Sequence, residues 1–487
     1  MEELDVDELK QQAICWKCVG EAYLSTQIKR DGQKRPCRYC GKKAASFTLE
    51  EAAGTVEDAF KSHYLRTPTD MNHLQLSMHK DPESTYDWER EGELTAYAIM
   101  NAANIDESVA QDIQRILADQ HEDIESIQMG EETDFDAGAH YEEIMPKDPE
   151  WAEGWRDFEH TIKSEARFFS RTAAAQLSAL FDEVDTMRTH GGRSLVVDAG
   201  PGTALDHLFR ARVFQSDAVL CKALARPDRE LAAPPSALAA AGRMNAKGIS
   251  TFYGATGEAI ALAEVRPPVG SQVAIARFDI IRPLRLLDLN ALSDIQEDGS
   301  IFDPSFARRL CRMMFLRSVC QRISKPVMPD DQDIEYLATQ AIADYLATEG
   351  KVPLDGIMFP SVQAGGSGLN VVLFHKASRC IEIELPKGTE VKASTGEEYA
   401  EGWEREYTVI EWVPRNNSEP KAVATFPMGL PFAEPFDWDT ARNKDFRDPA
   451  LCIVPESIKV QVVESVQFET TVHPVTRHRW SKDDDAF

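Results

Sequence analysis

Between Trp151 and Thr189 apolar residues return every three or four positions: Phe158, Ile162, Ala166, Phe169, Ala173, Leu177, Leu180 and Val184. That spacing lays one buried stripe along a helix. Gly92 to Asn101 and Val109 to Leu117 repeat it. Thr48-Leu-Glu-Glu offers a capping hydroxyl followed by first-turn carboxylates, a helix start. Thr48 to about Thr189 therefore reads as mostly helical, up to a break at Gly191-Gly192. Beyond the break the pattern changes. Leu195–Val197, Phe209–Phe214, Gln272–Ile281, Leu284–Leu289 and Asn370–Phe374 are rich in β-branched and aromatic residues and read as strands. Helical spacing returns at Asp217–Leu224, Phe306–Ile323 and Asp333–Thr348. Cys380–Leu385, Glu406–Val413 and Val460–Phe468 again have strand character. The chain reads as α+β.

Gly242 to Pro268 sets three chemical groups close together in the chain. Arg243 lies in a glycine-flanked loop that lets backbone and guanidinium approach an anion. Ile249–Tyr253 reads as a short strand. Gly257–Glu264 is alanine-rich and reads as a short helix, stopped by Pro267-Pro268. A cation, an aromatic ring and a carboxylate can thus meet at one turn, a set suited to a ligand bearing phosphate, base and sugar.

Gly-Arg-x-Asn-x-x-Gly from Gly242, then Tyr253, then Ala261-Leu-Ala-Glu264, resembles the RES domain, named for its Arg, Glu and Ser. Gly356-Ile-Met-Phe-Pro-Ser361 fits the third member, Asn370–Phe374 resembles the closing strand and Leu208–Val213 the opening one. The resemblance runs from about Leu195 to Phe374. It implies an ADP-ribosyltransferase-like mixed sheet, NAD as substrate, and a bacterial toxin with a partner antitoxin. It also implies Arg243, Tyr253, Glu264 and Ser361 as the site residues.

Cleaving the bond between nicotinamide and ribose builds positive charge on the sugar, which a carboxylate stabilises. Glu264 is expected in that role, Arg243 on a phosphate and Tyr253 against the nicotinamide. Ser361 is expected on the ribose or the acceptor. Arg210 or Arg212 would add a phosphate contact, and Asn370 is a further NAD-binding candidate. Water, phosphate and a protein side chain all remain open as acceptor. The competing reading is a zinc-bearing interaction protein whose RES-like core is inactive. Glu404-Arg-Glu406 resembles a Glu-x-Glu element of arginine-specific ADP-ribosyltransferases, but the Ser-Thr-Ser strand that accompanies it is missing.

Cys15-x-x-Cys18 and Cys37-x-x-Cys40 stand 18 residues apart. Two such knuckles offer four thiolates to one zinc and leave no open position, so the ion would be structural. The helical segment is similar to the HEPN-like domain found ahead of some RES domains. Arg156 and His160 lack the spacing of HEPN ribonucleases, so it reads as a docking or regulatory module. The expected domains are a zinc module at 1–47, a HEPN-like helical domain at 48–190 and a RES domain with extra strands at 191–480.

The net charge of −28 disfavours general binding to nucleic acid or anionic membranes. No apolar run approaches the roughly 20 residues that span a bilayer. The acidic opening residues lack the apolar stretch of a signal peptide, so the chain reads as cytoplasmic.

Overall fold

The structure, a computed structural model, describes residues 4–81, 84–123, 128–147, 149–325, 327–351, 353–361, 363, 368–399, 402–414, 445–467 and 470–479. The chain divides into two compact units. One holds Met1–Gln176, Arg188–Gly192 and Ser293–Val319; the other holds Leu177–Met187, Arg193–Leu292 and Cys320–Phe487.

In the first unit β1 (Ala13–Cys15) and β2 (Gln33–Pro36) both pair antiparallel with β3 (Lys43–Thr48). The helix Leu49–His63 leaves β3 through a reciprocal cap: Thr48 Oγ1 accepts from Glu51 N–H, and Glu51 accepts from Thr48 N–H. Ile14, Ile28, Leu49, Phe60, Ile99 and Leu117 share one core, so the cysteine-bearing sheet and the helices are packed together.

Two expectations change here. The segment read as mostly helical also contains a sheet, β4 (Tyr64–Arg66), β5 (Glu93–Leu94) and β6 (His140–Glu143), with β6 in the middle. Strands of two to four residues are too short to display an alternating pattern. The long stripe is also interrupted. The helix Pro149–His160 loosens into a π turn at Thr161–Glu165, and a helix resumes only at Arg171–Phe181. Phe169 adopts a left-handed φ of 63° and lies fully exposed, and Ala166 is exposed as well. The π turn shifts the register by a residue. Phe158, Ile162, Ala173, Leu177, Leu180 and Val184 are buried as expected.

The second unit is built on an eight-stranded mixed sheet in the order β18-β10-β8-β9-β13-β12-β11-β7. Its strands are β7 (Val196–Ala199), β8 (His207–Phe214), β9 (Phe252–Ala255), β10 (Gln272–Ile280), β11 (Leu284–Asp288), β12 (Gly356–Pro360), β13 (Leu369–Leu373) and β18 (Leu451–Val462). Among the described residues only the neighbours β11 and β12 of this sheet run parallel. In β10, Ala274, Ala276, Phe278 and Ile280 join the larger core with Leu220 and Leu224 of the helix Asp217–Ala225. Val273 and Ile275 join a smaller core with Ala261 of the helix Glu258–Glu264. Burial on both faces explains the nearly continuous apolar run of this strand.

β14 (Glu390–Ser394) pairs with β17 (Thr408–Trp412), and β15 (Glu397–Tyr399) pairs with β16 (Gly402–Glu404). The strand expected at Cys380–Leu385 does not form. Cys380 makes a single bridge to Leu451, and the Ile383 N–H is taken by the Asp228 carboxylate instead of a ladder partner. The last expected strand begins earlier, at Leu451, and ends at Val462. Among the described residues no helix is long and apolar enough to cross a membrane.

Candidate functional site

Three pieces of the second unit bring Arg243, Tyr253, Glu264 and Asn370 to one cleft of about 450 Å³, and Ser361, which does not line it, is bonded to Glu264. β9 supplies Tyr253, and after a two-residue turn the helix Glu258–Glu264 ends on Glu264. The neighbouring hairpin of β12 and β13 supplies Ser361 and Asn370. Asn370 pairs with Ala255 on one side and Phe359 on the other. The loop before β9 supplies Arg243.

Glu264 is exposed in the cleft, whereas Ser361 and Asn370 are buried. Ser361 Oγ and Asn370 Nδ2 both donate to Glu264 Oε1, at 2.6 and 2.7 Å. Oε2 accepts no hydrogen bond among the described residues. A carboxylate on the last turn of a helix faces the negative end of the helix dipole, so these donors hold the group where the helix alone would not favour it. Asn370 Oδ1 is buried with no partner among the described residues.

Tyr253 is held from the opposite end. Its hydroxyl donates to Asn245 Oδ1 at 2.7 Å and accepts from Met244 N–H at 3.0 Å. Burial pushes the phenol up to about 12, and the Met244 N–H pulls the other way. With its hydroxyl engaged as both donor and acceptor, Tyr253 is a fixed wall of the cleft. Asn245 Nδ2 donates to the Ala240, Ala246 and Ile249 carbonyls and closes the loop. A Cβ at Gly242 would stand 2.6 Å from Asn245 Oδ1 and 2.7 Å from the Tyr253 hydroxyl. Glycine is therefore required there for close packing.

The Arg243 guanidinium donates to the carbonyls of Ile323 and Lys325 and lies 5.1 Å from the centre of the Tyr336 ring. Thr339 and Gln340, on the helix Gln332–Thr348, bond the Arg243 and Gly242 carbonyls. Arg210 also lines the cleft, with its guanidinium 5.0 Å from the centre of the Phe252 ring. Its Nη1 is buried without a partner among the described residues. Burial, then the charge of Arg212, pulls its pKa down. Arg212 does not line the cleft; it pairs with Glu230.

Gln332, Tyr336, Phe359 and Arg266 line the cleft and were not anticipated. Gln332 and Tyr336 are four apart on a helix whose pattern was legible, but nothing in that pattern ties the helix to this site. Arg266 has a left-handed φ of 44° directly before the two prolines. That strained position was the available sign.

Residues 212–394 match the RES domain family. The RES match includes Arg243, Tyr253, Glu264, Ser361 and Asn370, and it starts two residues after Arg210. It covers less than half of the 487 residues. No curated protein and no solved structure matches the chain.

Outside the RES segment, the four N-terminal cysteines form a second candidate site. Cys15, Cys18, Cys37 and Cys40 place their sulfurs within 4.8 Å of one another. Cys15–Cys40 is 3.6 Å, and Cys15–Cys18 and Cys18–Cys37 are each 3.8 Å. A tetrahedral ion about 2.3 Å from each sulfur requires edges of about 3.8 Å. The cluster could therefore hold a metal ion such as zinc. Cys15 N–H donates to Cys37 Sγ at 3.4 Å. Gly41, with φ of 71°, makes the turn after Cys40.

Proposed function

We propose that the RES segment is an NAD-consuming enzyme that cleaves the nicotinamide–ribose bond. The supporting observation is Glu264: one carboxylate oxygen is anchored by two buried donors, the other accepts no hydrogen bond among the described residues, and the cleft that Glu264 lines is also lined by Arg210, Arg243 and Arg266. In this reading Oε2 stands beside the ribose and stabilises the positive charge that develops as nicotinamide leaves. Ser361 and Asn370 orient that carboxylate. Arg210 brings an uncommitted N–H to a phosphate of NAD, while Arg243, tied to two carbonyls, supports the cleft wall and adds positive charge. Tyr253 and Phe359 shape the pocket for the leaving ring. The fold in this reading is ADP-ribosyltransferase-like.

The wider role we propose is that of a bacterial toxin or defence effector restrained by an antitoxin, with a structural zinc in the N-terminal module. The helical segment, in this reading HEPN-like, serves docking or regulation. Arg156 and His160 are both exposed and turn to Glu153 and Glu165, not to each other.

Incubation with NAD, with and without phosphate, followed by product mass spectrometry tests the reading. Nicotinamide release is the expected result, and the second product identifies the acceptor. NAD left intact would favour the inactive interaction protein.

A further inference from the structure

The overall charge of −28 conceals a local reversal. Between Trp16 and Lys43 there are eight Lys and Arg against two Asp and Glu, a net charge of +6 set against −34 for the remainder. This is the stretch that carries the four cysteines. Lys17, Lys29, Lys34, Lys42 and Lys43 are exposed, and Arg35 is half-buried. None of these six forms an ion pair with a described residue. Two other cations of the stretch are neutralised, Arg30 by Asp31 and Arg38 by Asp112.

The cations sit on rigid supports. Lys34 on β2 and Lys43 on β3, directly opposite Pro36, share one face of the sheet, while Arg35 is on the other. Lys42 is in the turn after Cys40. The ammonium groups of Lys17 and Lys29 lie 5.2 and 4.8 Å from the centre of the Trp16 ring, which joins the first knuckle to the helix Ala22–Asp31. Tyr23 is exposed on that helix. The module thus combines exposed cations carried on regular elements with one exposed aromatic ring.

We propose that this cysteine module is a binding surface for single-stranded nucleic acid. Unpaired cations on a folded support are the electrostatic footprint of a phosphate-binding face. The exposed Tyr23 favours an unpaired strand over a duplex, because bases free of a duplex can stack on an aromatic ring between phosphate contacts. The acidic remainder of the chain repels a polyanion and confines contact to this face. The proposal does not depend on the NAD reading.

The test is fluorescence anisotropy of the full-length, metal-loaded protein with a labelled oligouridylate or oligothymidylate. An unlabelled duplex and polyglutamate serve as competitors. If about four phosphates are contacted, affinity should fall about 50-fold between 50 and 200 mM salt. The triple variant Lys34→Glu, Lys42→Glu, Lys43→Glu should lose binding while metal content and melting temperature stay as in the parent. Single variants Lys34→Glu and Lys43→Glu, each at an exposed position, should weaken binding several-fold and keep the test decisive if the triple variant does not fold. Tyr23→Ala should weaken single-strand binding. Absence of salt-sensitive binding, or single variants that bind like the parent, would overturn the proposal. So would polyglutamate or duplex competing as well as the single strand, which would assign the face to acidic protein surfaces or to duplex phosphates.

Discussion

Ser361 Oγ donates to Glu264 Oε1 at 2.6 Å across a sequence separation of 97 residues. The two residues belong to separate pieces of the sheet domain, and the bond fixes one carboxylate oxygen while the other accepts no hydrogen bond among the described residues. Ser361 is buried, so its hydroxyl serves Glu264 and not bulk solvent. If its role is to position that carboxylate, Ser361→Ala should lower kcat by about 10- to 100-fold, in line with the roughly 1.5–3 kcal/mol of a hydrogen bond to a charged group. Combined with Glu264→Gln, it should add little further loss. Steady-state kinetics on the single and double variants measures this. Fully additive effects would give Ser361 a separate role.

Asn245 is expected to be a stability residue of the site. Its amide serves three carbonyls and the Tyr253 hydroxyl from a buried position. Asn245→Ala should cost about 1–3 kcal/mol by stranding buried polar groups. Asn245→Asp should cost more, since a carboxylate would face those carbonyls with no donor. Denaturant unfolding compares the two, and the reverse order would contradict this account of the loop.

Metal analysis of protein purified without added metal should find about one equivalent of zinc. Cys15→Ser with Cys40→Ser should remove it and loosen the β1–β3 sheet, because binding and local folding are linked. Metal-free protein that melts like the parent would exclude a structural ion.

Asp228 should make the sheet domain acid-sensitive. Its side chain is fully buried. Burial raises its pKa, but the bonds from Arg226 and the Ile383 N–H outweigh that and leave it lowered overall. A carboxyl whose folded pKa lies below its unfolded value of about 3.9 stabilises the fold above that value. The contribution is lost as pH falls through the folded value. Asp228→Asn should remove this part of the acid dependence and lower stability at neutral pH. Melting temperatures from pH 7 down to pH 3 on both proteins test it.

Much of the site was legible because its residues are tied to local patterns. The helix Glu258–Glu264 follows from alanine content and a double proline, and the strand carrying Asn370 from a β-branched run; the strand carrying Tyr253, expected at Ile249–Tyr253, forms later, at Phe252–Ala255. What could not be read was the partnership across the sheet. Nothing local says that Asn245 holds Tyr253, that Arg243 ends on the carbonyls of Ile323 and Lys325, or that Tyr336 stands beneath it. The same limit explains the errors in the fold. A π turn and one left-handed phenylalanine interrupt the stripe without interrupting its spacing. Cys380–Leu385 alternates like a strand, yet past the Ile381 N–H bond to the Leu451 carbonyl its Ile383 N–H is claimed by the Asp228 side chain.

The central claim is that Glu264 acts on charge that appears only as the glycosidic bond breaks. The most direct measurement is steady-state nicotinamide release from NAD by the parent protein and by Glu264→Gln, with folding matched by thermal melts. Glutamine keeps the shape and removes the charge. The account predicts a fall in kcat of about 100- to 1000-fold, the loss typical of removing a preorganised electrostatic group, with KM little changed. A variant that keeps the parent kcat and only raises KM, or a parent protein that releases no nicotinamide, would contradict it.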